Sequence, residues 1–186
     1  MKRIFDLVVS LLLIGLLGFP MLLIGFLVRL TSNGPALYWS NRVGIGNVIF
    51  KMPKFRTMYS HTPPLATHLL KNADSYTTPV GRLLRKLSLD ELPQLLSVVR
   101  GDMSLVGPRP SLFNQHDLIS LRTERGIHRI VPGITGWAQV NGRDDLPLPV
   151  KVEYDEFYVK NRSFWLDLKI LGMTFIKTAK SEGVSH

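Results

Sequence analysis

A chain of 186 residues, 45% of them hydrophobic, is long enough to bury the core of one domain plus an appendage, which excludes two large domains. It contains no cysteine, so a disulfide framework, a thiolate metal site and a thiol nucleophile are excluded, and any metal must sit on oxygen or imidazole. The formal charge is +9, and no acidic residue stands between Asp6 and Asp74. Arg29, Arg42, Lys51, Lys54, Arg56 and Lys71 therefore make a wholly basic stretch that would attract anionic lipid head groups or phosphate-bearing substrates. A solvated basic surface or an RNA-binding patch is the plainer alternative.

The first element is apolar. Leu7 to Val28 are 22 consecutive uncharged, mostly aliphatic residues, flanked by Lys2, Arg3 and Asp6 on one side and Arg29 on the other. As one helix the run would reach about 33 Å, enough for a hydrocarbon core of about 30 Å. It exceeds the apolar region of a cleaved signal peptide, and no small-x-small cleavage site follows it. Pro20 removes a backbone donor near its middle, so a kink is expected at Gly18, Phe19 and Pro20. Positive residues on both sides favour neither end crossing. A re-entrant helix that dips in, bends and returns to the same face meets both constraints; a spanning helix is the alternative.

Thr31 to Pro35 (TSNGP) reads as a turn that ends this segment, dividing the chain into a membrane-inserted part, 1–35, and a second domain, 36–186. Ala36 to Met58 contains two strand-like runs around Gly44 to Asn47, which predicts a β-hairpin; a phosphate-cradling glycine loop is the weaker reading of the same glycines. Ser60 to Asp74 reads as a loop carrying a short helix. Apolar residues between Val80 and Val99 approximate helical spacing, with a break near Leu87 to Asp90. Either Ser88, in a capping box with Glu91, or Asp90, with Pro93 in the first turn, would cap the second piece. Gly101 to Gly142 is dense in Gly and Pro and should be loop-rich. Ser163 to Lys180 forms a helix that either lies at a lipid interface or packs on the core. The fold class expected is α/β (α+β), mostly helical with a small β-hairpin or sheet.

Adjacent Asp90 and Glu91 are the candidate chemical centre, at a helix start where negative charge is favoured. Carboxylates can hold a divalent cation, naturally Mg2+, against a diphosphate, and a carboxylate can also attack phosphorus to form an acyl phosphate. An ordinary acidic helix start is the competing reading. Arg109, between Pro108 and Pro110, is a candidate phosphate ligand, because the prolines limit backbone freedom and guanidinium binds phosphate bidentately. Arg143, near the amides of Gln139 and Asn141, invites the same reading. The five histidines show no metal-ligand spacing, and His128 reads as structural or solvent-facing.

Taken together, Lys2 to Asp6 (KRIFD), Lys54 to Met58 (KFRTM), Ser88 to Leu92 (SLDEL), Gly101 to Pro110 (GDMSLVGPRP), Pro132 to Arg143 (PGITGWAQVNGR) and Tyr158 to Asn161 (YVKN) make the chain resemble the bacterial sugar transferase family in its minimal catalytic form. Members of that family are monotopic polyprenol-phosphate phosphoglycosyl transferases. The motifs run in order over nearly the whole chain. The resemblance implies that Asp90 attacks the β-phosphate of a UDP-sugar, releases UMP, and passes the sugar phosphate from a covalent intermediate to undecaprenyl phosphate. Such a product starts an O-antigen, capsule, exopolysaccharide or glycoprotein glycan. Glu91 would bind Mg2+ or assist the acceptor, Arg109 would hold a phosphate, and Lys54, Arg56, Arg143 and Asp155 match motif positions assigned to substrate binding.

The resemblance also implies a re-entrant helix, amphipathic interfacial helices, and residence on the cytoplasmic face of the bacterial inner membrane, in contact with lipid. Family members often carry a serine before the membrane proline, where this chain has Phe19. Two rivals remain. A membrane-tethered nucleic-acid binder would need aromatics interleaved with cations, and only Tyr38 and Trp39 form such a pair before Phe50 and Phe55, so no nucleic-acid partner is expected. A glycosyltransferase would release UDP instead of UMP.

Overall fold

The computed structural model describes residues 1–32, 34–62, 73–142 and 146–179. Helix α1 spans Lys2–Thr31. Strands β1 (Leu37–Val43) and β2 (Ile49–Phe55) pair antiparallel, with Leu37 opposite Phe55 and Val43 opposite Ile49, and a short 3-10 turn at Ile45–Asn47 joins them. The hairpin expected there is present: Gly44 N–H donates to the Val48 carbonyl at 2.8 Å across the turn. After the described 3-10 turn Ala73–Tyr76 come α2 (Pro79–Lys86), a 3-10 segment Leu89–Gln94, and α3 (Leu95–Arg100). The chain then forms β3 (Ser104–Val106), α4 (His116–Glu124), β4 (Gly133–Thr135), α5 (Trp137–Val140), α6 (Leu148–Asn161) and α7 (Phe164–Ala179).

The core lies between the hairpin, α3, β3 and α7, and includes Met52, Leu95, Val98, Met103, Leu105, Val106, Tyr158 and Ile170. Its chemistry follows from the pattern of the strands: Met52, Pro53 and Phe55 of β2 are buried, while Lys51 stays outside. The helical part is larger than the sheets, and the mostly helical class with a small sheet holds.

Three local expectations change. Helix α1 is continuous through Gly18, Phe19 and Pro20, so the kink expected there is no gap that divides it into two helices. Proline removes a single donor, and the turns on either side keep theirs. The capping box at Ser88 does not form. Ser88 adopts a left-handed conformation, φ +55°, and makes no side-chain cap, while the Glu91 carboxylate is drawn instead to two cations. The stretch 101–142 is loop-rich as expected, but its two glycine-proline motifs are joined by a parallel pairing of β3 with β4. Of the loop expected over 60–74, residues 63–72 lie outside the described residues.

That pairing explains the glycines. Gly107 N–H donates to the Thr135 carbonyl at 2.8 Å and Gly133 N–H to the Pro108 carbonyl at 3.0 Å. A Cβ on Gly133 would lie 2.1 Å from the Gly107 nitrogen, and one on Gly136 would lie 2.1 Å from the Gly107 carbonyl oxygen. Only hydrogen fits at these approaches.

Helix α1 is fixed to the rest of the molecule at both ends. At its start Lys2 pairs with Asp167 at 2.6 Å, Arg3 donates to the carbonyls of Val98 and Val99, and buried Asp6 accepts from the Ser104 hydroxyl at 2.8 Å. At its end Val28 is buried with Phe55 and Leu84, and Arg29 donates to the Gly34 carbonyl at 2.9 Å. Between these anchors Leu12, Leu16, Phe19 and Leu22 are exposed, and a Cβ on Gly15 or Gly18 would meet nothing within 4 Å. Helix α7 reconciles the two readings of its sequence: Ile170 is buried in the core while Trp165 and Phe175 stand exposed.

Gly133→Ala should lower the melting temperature by about 5 °C or more, since backbone must move to admit the methyl. Gly18→Ala, in open space, should shift it by no more than about 2 °C. Thermal unfolding of the two variants in the same detergent checks the contrast.

Candidate active site

Three segments meet at the Glu91 carboxylate. Lys54 arrives from β2, with its Nζ 2.7 Å from Glu91 Oε1, and Arg109 arrives from the loop after β3, donating to Glu91 Oε2 at 3.1 Å and also to Oε1. Glu91 itself is on the 3-10 segment that follows α2. Lys54 sits inside because β2 places it opposite Tyr38 at the base of the hairpin, where the strand packs against this segment. All three side chains are mostly removed from solvent, at 16%, 21% and 31% exposure for Lys54, Glu91 and Arg109. Burial opposes ionisation of Glu91, but Arg109 and Lys54 outweigh it and hold the carboxyl well below its ordinary range. Burial lowers the Lys54 pKa, and Glu91 is the main influence opposing that fall.

Asp90 is the neighbour of opposite character. It is 8% exposed, and no described residue donates a hydrogen bond to its carboxylate. Burial raises its pKa, with Lys54 the strongest opposing charge, Glu91 adding to the rise, and Arg85 and Arg109 pulling it down. Two adjacent carboxylates are thereby driven apart: Glu91 is a fixed anion saturated by cations, and Asp90 is a desolvated carboxylate with free lone pairs. The left-handed Ser88 two residues earlier turns the chain so that both face the same cations; such residues cost about 1–2 kcal/mol and recur at functional sites.

Arg85 was not singled out from the sequence. Its Nε donates to the Thr57 hydroxyl at 2.9 Å, which fixes it on α2 near Asp90. The only signal was its position five residues before Asp90, on a segment too short to separate them.

The loop that carries Arg109 is held from behind. Arg42 of β1 donates to the Pro110 carbonyl at 3.1 Å, and Arg122 of α4 donates to the Arg109 carbonyl at 2.7 Å. Arg122 is itself held by Asp155 of α6, through Nε at 3.0 Å and a second nitrogen at 2.5 Å. Asp155 is therefore buried behind the loop, apart from the Glu91 cluster. Arg56 is also elsewhere: its Nε donates to the Pro35 carbonyl at 3.0 Å, at the exit from α1. Arg143 lies outside the described residues. His128 is half-buried beside the Arg109 loop, away from the carboxylates.

The donor set bears on Mg2+. Among the described residues no three His, Asp or Glu side chains converge into a metal cluster. Mg2+ typically takes one or two carboxylates and completes its shell with water and substrate phosphate oxygens. Asp90 has oxygens available for that, whereas Glu91 has both engaged, so the pair fits an ion brought with a diphosphate better than a resident one.

Residues 1–181 match the family described as bacterial sugar transferase. The chain is 44% identical over its whole length to an uncharacterised sugar transferase, EpsL, of Bacillus subtilis, covering 91% of that protein. It is 41% identical to the undecaprenyl-phosphate glucose phosphotransferase of Komagataeibacter xylinus and 38% identical to the UDP-N-acetylgalactosamine-undecaprenyl-phosphate N-acetylgalactosaminephosphotransferase of Aeromonas hydrophila, over 93% of this chain in each case. It spans 35% and 42% of those two longer proteins. Relatives of nearly equal identity thus carry different sugars in their names, so overall similarity does not track the sugar.

The opposite shifts of the two carboxylates give opposite expectations for stability. A carboxyl whose pKa is raised on folding is destabilising once charged, so near neutral pH Asp90→Asn should raise the melting temperature by about 2–4 °C. A carboxyl whose pKa is depressed stabilises the fold above its ordinary pKa and loses that contribution as pH falls through the folded value. Glu91→Gln should accordingly lower the melting temperature near neutral pH, because Lys54 and Arg109 lose their counter-charge. Thermal unfolding of both variants tests the pair, and a fall for Asp90→Asn would contradict this electrostatic assignment.

Proposed function

The chain belongs to the bacterial sugar transferase family, and from that premise we propose that it transfers a sugar 1-phosphate from a UDP-sugar to undecaprenyl phosphate, releasing UMP. The observation that carries the reading is the pairing of an unengaged, desolvated Asp90 with a Glu91 already committed to Lys54 and Arg109. Such a site has one carboxylate free to react and cations poised for phosphate oxygens.

The reaction proceeds in two displacements. An Asp90 carboxylate oxygen bonds to the β-phosphorus of the UDP-sugar, the bond from that phosphorus to the bridging oxygen breaks, and UMP departs with the electron pair. Asp90 then carries the sugar phosphate as an acyl phosphate. A phosphate oxygen of undecaprenyl phosphate attacks the same phosphorus, the acyl bond breaks, and the Asp90 carboxylate is regenerated. Desolvation suits Asp90 to this role, because a carboxylate without hydrogen-bond donors is a stronger nucleophile than one that is saturated. Lys54 and Arg109 supply charge where negative charge builds on the phosphoryl oxygens, in a site sheltered from water. Asp90 would hold Mg2+ arriving with the diphosphate, with Glu91 joining only if it released one of its cations, and the ion would supply further charge neutralisation for the leaving group.

The acceptor is a lipid, and the protein is built to meet it in the bilayer. Helix α1 is long and apolar enough to cross a membrane and is almost entirely unburied, so it requires apolar surroundings. Both its ends are fixed to one body, which supports a helix that dips into the membrane and bends at Pro20 to return to the same side, and we assign that side to the cytoplasmic face of the inner membrane. Trp165 and Phe175 of α7 extend the apolar contact at head-group level. Of the basic stretch, Arg29, Arg42, Lys54 and Arg56 are bound to backbone carbonyls or to Glu91 and Lys51 is exposed, and the reading includes no nucleic-acid partner.

Detergent-solubilised protein given Mg2+, undecaprenyl phosphate and a panel of UDP-sugars should release UMP with at least one sugar, and Asp90→Asn should release less by about 10^3-fold or more. Release of UDP in place of UMP would replace phosphosugar transfer with glycosyl transfer. Full activity in Asp90→Asn would remove the covalent route.

A further inference from the structure

We infer that Arg122 and Asp155 are positioning residues for Arg109: they act from behind the phosphate-binding loop, without touching substrate, and set where the Arg109 guanidinium stands. The inference rests on the assignment of Arg109 to the phosphates made above.

The geometry is a chain of bonds with no slack. Asp155 is 1% exposed on α6, and one of its oxygens, Oδ2, takes both the Nε and one terminal nitrogen of Arg122. The remaining terminal nitrogen of Arg122 donates to the backbone carbonyl of Arg109 at 2.7 Å. Every nitrogen of this guanidinium is thus committed, and its planar fork fixes the direction from α6 to the loop. Asp155 has no surface to offer a ligand, and Arg122, 8% exposed, shows only an edge to the pocket it lines beside Arg109 while its nitrogens are taken by protein oxygens.

The loop is otherwise gripped at its flanks, by Gly107 and Pro108 on β4 and by Pro110 on Arg42. Arg122 supplies the contact at Arg109 itself. A residue that must reach Glu91 with two nitrogens depends on where its backbone lies, and displacement of about 1 Å at a catalytic group can cost about 10^2-fold in rate. Among the described residues Asp155 Oδ1 has no hydrogen-bond partner, and a buried ion pair is by itself weak evidence for a role in stability.

The decisive variant is the double replacement Arg122→Met with Asp155→Leu, which removes the charges together, so that no buried charge is left unpaired and the Arg109 carbonyl alone loses its donor. Its fold is checked by thermal unfolding, and Arg122→Lys, which keeps the charge beside Asp155 but cannot span to the Arg109 carbonyl, serves if the double variant does not fold. The readout is UMP release, with wild type establishing the reaction itself: if wild type releases no UMP, the proposed function fails before this inference is reached. With wild type active, the variant should lose about 10–100-fold in kcat/KM at an unchanged melting temperature. The same replacement made on Arg109→Ala should cost less than about threefold more, because residues that act through Arg109 have nothing left to position. Activity within about threefold of wild type, or a loss that multiplies fully with that of Arg109→Ala, would overturn the inference.

Discussion

The ion triad of Lys54, Glu91 and Arg109 is the contact on which the rest of the site depends, since it joins β2, the segment after α2 and the loop after β3 at one point. Taking three charged groups from water is costly, and such groups are retained where their positions matter. One anion between two cations leaves the cluster net positive, which suits a place where a diphosphate must enter. In the proposed reaction Glu91 would occupy the cations until phosphate oxygens compete for them, and it offsets part of the fall that burial imposes on the Lys54 pKa. Asp90, one residue away, is excluded from this arrangement and keeps its lone pairs. The division of labour between the two carboxylates is thus a consequence of which one the cations reach.

Around that triad the fold works as a set of braces. The β3–β4 pairing seats the Arg109 loop through backbone approaches that only glycine permits. On the opposite side, α1 is clamped to the body through Lys2, Arg3 and Asp6 at one end and Val28 and Arg29 at the other. These clamps tie the membrane-facing helix to α3, β3 and the hairpin, the same elements that frame the active site. In the proposed reaction a lipid-borne acceptor and a soluble donor would meet at one carboxylate near the membrane surface.

Much of this was legible in the sequence because it rests on local signals. The hairpin around Gly44 to Asn47, the interruption near Ser88, and the apolar helix follow from turn residues and hydrophobic runs. Asp90, Glu91, Arg109 and Lys54 carried their chemistry in residue type and motif. What the sequence concealed is tertiary. Nothing in the stretch around Arg122 marks it as the residue that meets both Asp155 and the Arg109 backbone, because that meeting joins α4, α6 and a loop. Asp155 stood out by motif, but its burial behind the loop follows from how α6 packs. The capping box at Ser88 failed for a related reason: a local hydrogen bond lost to two cations brought from distant segments.

The most direct test of the central claim is the intact mass of the protein after exposure to Mg2+ and an accepted UDP-sugar with undecaprenyl phosphate withheld. The account expects release of UMP limited to about one equivalent per chain and a mass increase of one sugar phosphate, located on the peptide that contains Asp90 and discharged when undecaprenyl phosphate is added. UMP formation that requires the lipid acceptor from the outset, with no adduct on Asp90, would contradict it.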